Sequence, residues 1–409
     1  MKKAPKIRFD GYTEDWEQRK LSAIITEKLS NGVINKSGTE DSNVKHINVI
    51  NMYTFDKIHT EDLALSSHDE KTIQKCNVEV GDIFMTRSSL KPEGIAEANV
   101  LLDSGRYVFD DHLIRMKVDK SKYDPMFVKI NLGNRMIKTQ FMMRSKTTAF
   151  TTIGQEDISE CEGKFPCLEE QKKIGEYFQN IDRLITLYQK ECEKMLDFKE
   201  YMLKKMFPRE GFSVPEIRFN GFDGAWSKYR LGELVVKFED PVETPTGGYM
   251  RLGIRSHAKG TFHSYVKEGE GLETAKMFRV APNKFIVNIT FGWEHAVAIT
   301  DEHDADKLVS HRFPQYSFKE GMRPDFFKWI IFDKRFKYHL GVSSPGGAGR
   351  NRVLNLESML EYETFVPSVK EQQAIGQYFR KLDELILLHQ HEVEAYKKMK
   401  QYMLQNMFV

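Results

Sequence analysis

From Ile174 onward, apolar side chains return at alternating steps of four and three: Ile174, Phe178, Ile181, Ile185, Tyr188, Cys192 and Met195. The same rhythm reappears as Ile375, Phe379, Leu382, Ile386, His389, Val393 and Tyr396. A 3.5-residue period is a heptad seam, so each stretch predicts a long helix with one apolar stripe. Neither stretch contains an internal proline, and Pro166 and Pro367 precede the helices, where proline is tolerated. About forty helical residues span roughly 60 Å. One helix cannot bury a stripe of that length by itself. The simplest arrangement packs the two helices antiparallel about a pseudo-twofold axis. Cys192 and His389 aside, the seam residues are the expected helix or partner interface.

The two helices belong to a longer repeat. Pro166 to Phe207 aligns without a gap to Pro367 to Phe408, with 20 of 42 positions identical. Upstream, "PKIRFDGYTEDWEQRKL" from Pro5 matches "PEIRFNGFDGAWSKYRL" from Pro215. The chain therefore reads as one unit written twice. It divides into a lead-in at 1–20, a variable block at 21–165 and a helix at 166–209, then a second lead-in at 210–230, block at 231–365 and helix at 366–409.

Inside the blocks the period changes from 3.5 toward 2. Each has a central strand-like run, "GDIFMT" at Gly81 or "NKFIVNIT" at Asn283, followed by "DHLIRMKV" at Asp111 or "SHRFPQYSF" at Ser310. An aromatic helical stretch comes next, "DPMFVKINLG" from Asp124 or "PDFFKWIIFD" from Pro324. The order of features agrees although the sequences differ. The expected fold is α+β: two similar α/β domains separated by two long antiparallel helices.

Charge matters only locally. The chain carries 61 basic and 59 acidic residues, a net charge of +2, so a nucleic-acid surface would have to arise by clustering. Two acid-free clusters occupy matching places late in each block. One holds Lys129, Arg135, Lys138, Arg144 and Lys146; the other holds Lys334, Arg335, Lys337, Arg350 and Arg352. Lysine and arginine on one face neutralise phosphates and release counterions. Interleaved polar residues, Ser343 and Ser344 among them, suit sugar, phosphate and base contacts. Arg87 and Lys91, after the first central strand, are further candidates for DNA binding.

No chemistry-bearing motif accompanies these clusters. The chain has no phosphate-cradling G-x-x-x-x-G-K-[ST] loop, no glycine-rich dinucleotide or methyl-donor loop after a strand, and no H-E-x-x-H. Its four cysteines, Cys76, Cys161, Cys167 and Cys192, form no C-x-x-C pair, which is the usage of a cytoplasmic protein with reduced thiols. The acidic stretch around His303 reads as a solvated loop. No metal site and no catalytic residue are expected, and no run of about 18 apolar residues suggests a membrane span.

The layout resembles the specificity subunits of type I restriction–modification systems. The motifs that carry it are F-x-G-x-x-x-x-W (Phe9, Gly11, Trp16; Phe219, Gly221, Trp226) and P-x-x-x-E-Q-x-x-I-G (Pro166, Glu170, Gln171, Ile174, Gly175; Pro367, Glu371, Gln372, Ile375, Gly376). The resemblance covers essentially the whole chain. It implies a non-catalytic subunit in which each block is a target recognition domain reading one half of a bipartite, asymmetric site on double-stranded DNA. It also implies that the helices set the gap and dock two methyltransferase subunits, which methylate adenine, and through them two ATP-dependent restriction and translocase subunits. S-adenosylmethionine, ATP and magnesium would then sit on the partners, with no cofactor on this chain. The rival expectation is a coiled-coil adaptor whose two domains bind protein rather than DNA.

Overall fold

The computed structural model describes residues 4–38, 42, 44–270, 276–346 and 352–409. The chain forms two compact units, one from residues 1–192 and 388–409, the other from 193–387. Both seams become long helices, Leu168–Met206 and Val369–Asn406.

The first unit centres on a four-stranded antiparallel sheet in the order Ser30–Asn31, Leu113–Met116, Ile83–Thr86, Ala98–Val100. The two central strands are buried along their whole length, so apolar residues fall on both faces rather than alternating, with Arg115 buried against the carbonyls of Cys76 and Asn77. A second sheet sets Val44–Ile47 between Ala64–Ser66, antiparallel, and Tyr107–Phe109, parallel. The aromatic stretch is the helix Pro125–Leu132, started by Asp124, whose Oδ1 accepts the Phe127 N–H at 2.8 Å, and by proline in the first turn. A second helix, Arg135–Arg144, is capped by Asn134.

The second unit repeats that sheet order as Val235–Phe238, Gln315–Phe318, Phe285–Val287, Val297–Ile299, with the helices Pro324–Ile331 and Lys334–Val342 following. Its other sheet is larger. There the hairpin Tyr249–Ile254 with Thr261–Val266 joins Leu308–Ser310, Met277–Arg279 and Pro241–Val242. The scaffold is duplicated, and the outer sheet has diverged.

Each unit contains an antiparallel helix pair. In the first, Ile181 and Ile185 pack on Val393, and Tyr188 stacks on Tyr396 with centroids 5.8 Å apart. Lys400 Nζ donates to Asp182 Oδ1 at 2.6 Å. In the second, Lys199 donates to Asp383 at 2.5 Å, and Met195 packs on the cluster holding Leu382 and Ile386. The seams are not helix-to-helix throughout. Ile174 and Phe178, like Ile375 and Phe379, enter the core of their own block. The phenylalanines near the helix ends are shared the same way: Phe408 meets Trp16 and Phe127, and Phe207 meets Trp226 and Phe326.

The repeated motifs explain themselves as fasteners. Arg8 donates from Nε and Nη2 to the two oxygens of Glu170, both at 2.7 Å; Arg218 forks onto Glu371 at 2.6 and 2.7 Å. Both glutamates are buried. Gln171 accepts the Asp124 N–H and donates to the carbonyls of Lys122 and Pro166; Gln372 does the same with Arg323, Gly321 and Pro367. Gly175 and Gly376 must lack a Cβ, because one would lie 2.8 Å from an atom of Asp124 or Asp325.

Two tests follow from this packing. Arg8→Ala strands a buried carboxylate and should cost about 3–5 kcal/mol of stability, measured by denaturant unfolding, whereas Arg8→Ala with Glu170→Leu should recover much of it. Asp82 is buried, and burial raises its carboxyl to about 6. Raising a carboxyl above its unfolded value costs stability as pH climbs through the window between the two values. The stability of Asp82→Asn relative to wild type should therefore grow from about pH 4 to pH 6 and then stay flat.

Candidate nucleic-acid interface

In the first unit, three strands of two residues each form a small ribbon, half-buried at Ser88–Ser89 and Thr151–Thr152 and exposed at Lys146–Thr147. Thr152 stands opposite both Ser88 and Lys146 in the register. The Ile153 N–H donates to the Arg87 carbonyl at 3.1 Å, and the Arg87 N–H to the His112 carbonyl at 2.8 Å. Folding thus gathers Arg87, Lys91, Arg144 and Lys146, which lie in two separate stretches of sequence, around one ribbon. All four are exposed, as is Arg135 on the adjoining helix. Leu90 and Met143, each 80% exposed, and Phe150, 53% exposed, lie among them. Cations interleaved with exposed apolar and hydroxyl side chains suit a surface that contacts phosphate, sugar and the thymine methyl.

Two cations of the first cluster turn inward instead. Lys129 Nζ donates to the carbonyls of Phe55 and Asp56 at 2.9 and 3.3 Å; burial, helped by Lys400, lowers its ammonium to about 8. Lys138 Nζ bonds the carbonyls of Ile95 and Ala96 and pairs with Glu97 at 2.8 Å. Both ammonium groups are engaged by the protein's own carbonyls. The two are close in sequence to the exposed cations, and what separates them is the partners they reach.

The second cluster is sorted likewise. Lys334 and Lys337 are exposed beside Tyr338, itself 76% exposed. Arg335 forks onto Asp333 and reaches the Pro208 carbonyl at 3.2 Å. Ser343 and Ser344 are buried, and Ser344 Oγ donates to the Leu340 carbonyl at 2.8 Å. They finish a helix and are not surface contacts. Arg352 donates to the carbonyls of Ser344 and Gly341, where a cation complements a helix C-terminus, and its guanidinium lies over Trp293 at 5.6 Å. Arg350 lies outside the described residues.

One surface escaped the sequence reading. The hairpin Tyr249–Ile254 with Thr261–Val266 exposes Arg251, Phe262 and Tyr265, and Arg255 lies over the Phe262 ring at 5.3 Å. A two-stranded ribbon is one of the shapes the major groove admits. Arg251 and Arg255 flanking the apolar Leu252, Gly253 and Ile254 were the available signal. No helix among the described residues is long and apolar enough to cross a membrane.

Residues 13–195 match the family described as the type I restriction modification DNA specificity domain. Over 95% of this chain and 91% of the relative, the sequence is 24% identical to a putative type I restriction enzyme MjaX specificity subunit of Methanocaldococcus jannaschii. It is 20% identical to the MjaVIII specificity subunit of the same organism over 78% of this chain and 73% of the relative. The fold matches the crystal structure of a type I restriction–modification S subunit from M. genitalium with a TM-score of 0.61 at 12% identity, covering 99% of both chains. A chain from a study of type I R-M complex assembly matches at 0.50, with 10% identity and coverage of 95% and 96%. The fold shared with these chains is a duplicated α+β scaffold with antiparallel helix pairs. The chain is similar, over most of its length, to type I restriction–modification specificity subunits.

Alanine at Arg87, Arg144 or Lys146 should weaken DNA binding, and each lost phosphate contact should flatten the salt dependence by about one unit in a binding titration. Lys129→Ala should leave that slope unchanged and lower the melting temperature instead.

Proposed function

We propose that the chain is the non-catalytic reader of a bipartite, asymmetric DNA site, each block contacting one half-site. The observation that carries this reading is that the fasteners and central sheet recur in both units while the exposed ribbons differ: two-residue strands with Lys146 in one, a long aromatic hairpin with Arg251 in the other. Two similar frames with unlike surfaces suit two unlike half-sites. The repeated helices would dock two methyltransferase subunits bearing S-adenosylmethionine for adenine methylation. Restriction subunits with ATP and magnesium would join through them in the cytoplasm.

Exchanging Leu231 to Phe365 for a relative's block tests the reading. In cells carrying the partner subunits, methylome sequencing should show one half of the methylated motif replaced and the other kept. Changes in both halves, or in neither, would count against it. Four residues inserted after Lys190 add about 6 Å of helix. They should widen the gap by one or two base pairs and leave the half-site letters unchanged.

A further inference from the structure

The helices Arg135–Arg144 and Lys334–Val342 are one element written twice. They align without a gap from their capping residues, Asn134 and Asp333. Ile137 and Phe141 on the first, like Phe336 and Leu340 on the second, are fully buried and fix the face that packs inward. Gln140 donates to the Glu162 carbonyl and His339 to the Ser358 carbonyl, both at 2.8 Å, so the same side bond sets the roll of each helix.

What stays exposed repeats as well: Arg135, Thr139 and Met143 on one helix, Lys334, Tyr338 and Val342 on the other. Steps of four keep side chains on one side of a helix. Met143 is 80% exposed, Tyr338 76% and Val342 64%. The solvent side of a globular helix is ordinarily polar. A single exposed apolar residue needs no explanation, but the same one at the same place in two diverged blocks does. Neither helix contains an acidic residue, and Arg144 and Lys337 add further exposed cations. Acid-free cationic charge around an apolar tip complements a polyanion that also offers apolar groups.

We propose that these two helices enter the DNA major groove, with Thr139 and Met143 reading bases of one half-site and Tyr338 and Val342 bases of the other. This rests on the reading of the blocks as DNA-recognition domains and names the side chains that choose the letters. The major groove admits an α-helix. The ends of each stripe are eight residues apart, about 12 Å, or roughly three base pairs. Hydroxyls such as those of Thr139 and Tyr338 donate to or accept from base edges, and Met143 and Val342 suit a thymine methyl. Arg135, Arg144, Lys334 and Lys337 would hold the flanking phosphates. One frame carrying different residues at its reading positions yields two unlike half-sites.

The test uses the full chain assembled with its partner subunits. Competitive binding is measured with oligonucleotides that change one base pair of the methylated motif at a time. Tyr338→Ala and Val342→Ala should each lose about tenfold or more of the discrimination at one position of one half-site. Met143→Ala should do so in the other half. The gap and the remaining letters should stay as they are, with unchanged thermal melting. Discrimination kept at every position, or binding weakened equally for all sequences, would overturn the proposal. So would a folded variant that no longer assembles with its partners, because the stripe would then be a protein interface. If exchanging Leu231 to Phe365 replaces a half-site while these variants change no letter, the helices do not read and the two-block reading stands. If the exchange changes nothing either, that reading fails too.

Discussion

A buried arginine–glutamate fork at the root of each long helix is the constraint on which the rest of each unit depends. Arg8 and Arg218 come from lead-ins with little regular structure, and their guanidinium groups are tied in two places to Glu170 and Glu371 in the first helical turns. A planar fork fixes direction as well as distance. It also puts the carboxylate near the positive end of the helix dipole. The adjacent glutamine links the same turn to the start of the block's aromatic helix. Lead-in, long helix and block helix are thereby set in one geometry, and Trp16 or Trp226 can close over the phenylalanine beside it. The net gain from such a pair is small, because desolvation offsets attraction, but losing one partner is costly. It is an arrangement that penalises misassembly more than it rewards assembly.

The scaffold was legible in the sequence and the binding surface was legible only in part. The seams were readable because a 3.5-residue period is a direct projection of helix geometry. The strands Ile83–Thr86 and Phe285–Val287 were readable because both faces are buried and so the runs are largely apolar. The twice-written E-Q and glycine revealed the repeat, although what they do, bonding turns and admitting a close-packed aspartate, required coordinates.

Cations behaved differently. Lys129 and Lys146 are both lysines in an acid-free stretch, yet one satisfies carbonyls inside and the other stands on a ribbon outside. Sequence gives a charge its place along the chain, not the side of a helix it leaves from. Ser343 and Ser344 failed for a related reason: the sequence reading offered them as sugar, phosphate and base contacts, and they terminate a helix instead. The aromatic hairpin of the second block was missed because its cations alternate with buried residues and so never form a cluster in the linear text.

The exchange of helix ends has a consequence for how the protein is made. Every residue of the second unit, 193–387, has been synthesised before the second helix is complete. The first unit is begun earlier but lacks Met407 and Phe408, which pack in its core against Trp16 and Phe127, until after the whole second unit has been made. The unit whose synthesis starts first is therefore the last able to close. Until Phe408 emerges its aromatic core has an open side, and loss of residues 407–409 would impair the block farthest from them in sequence.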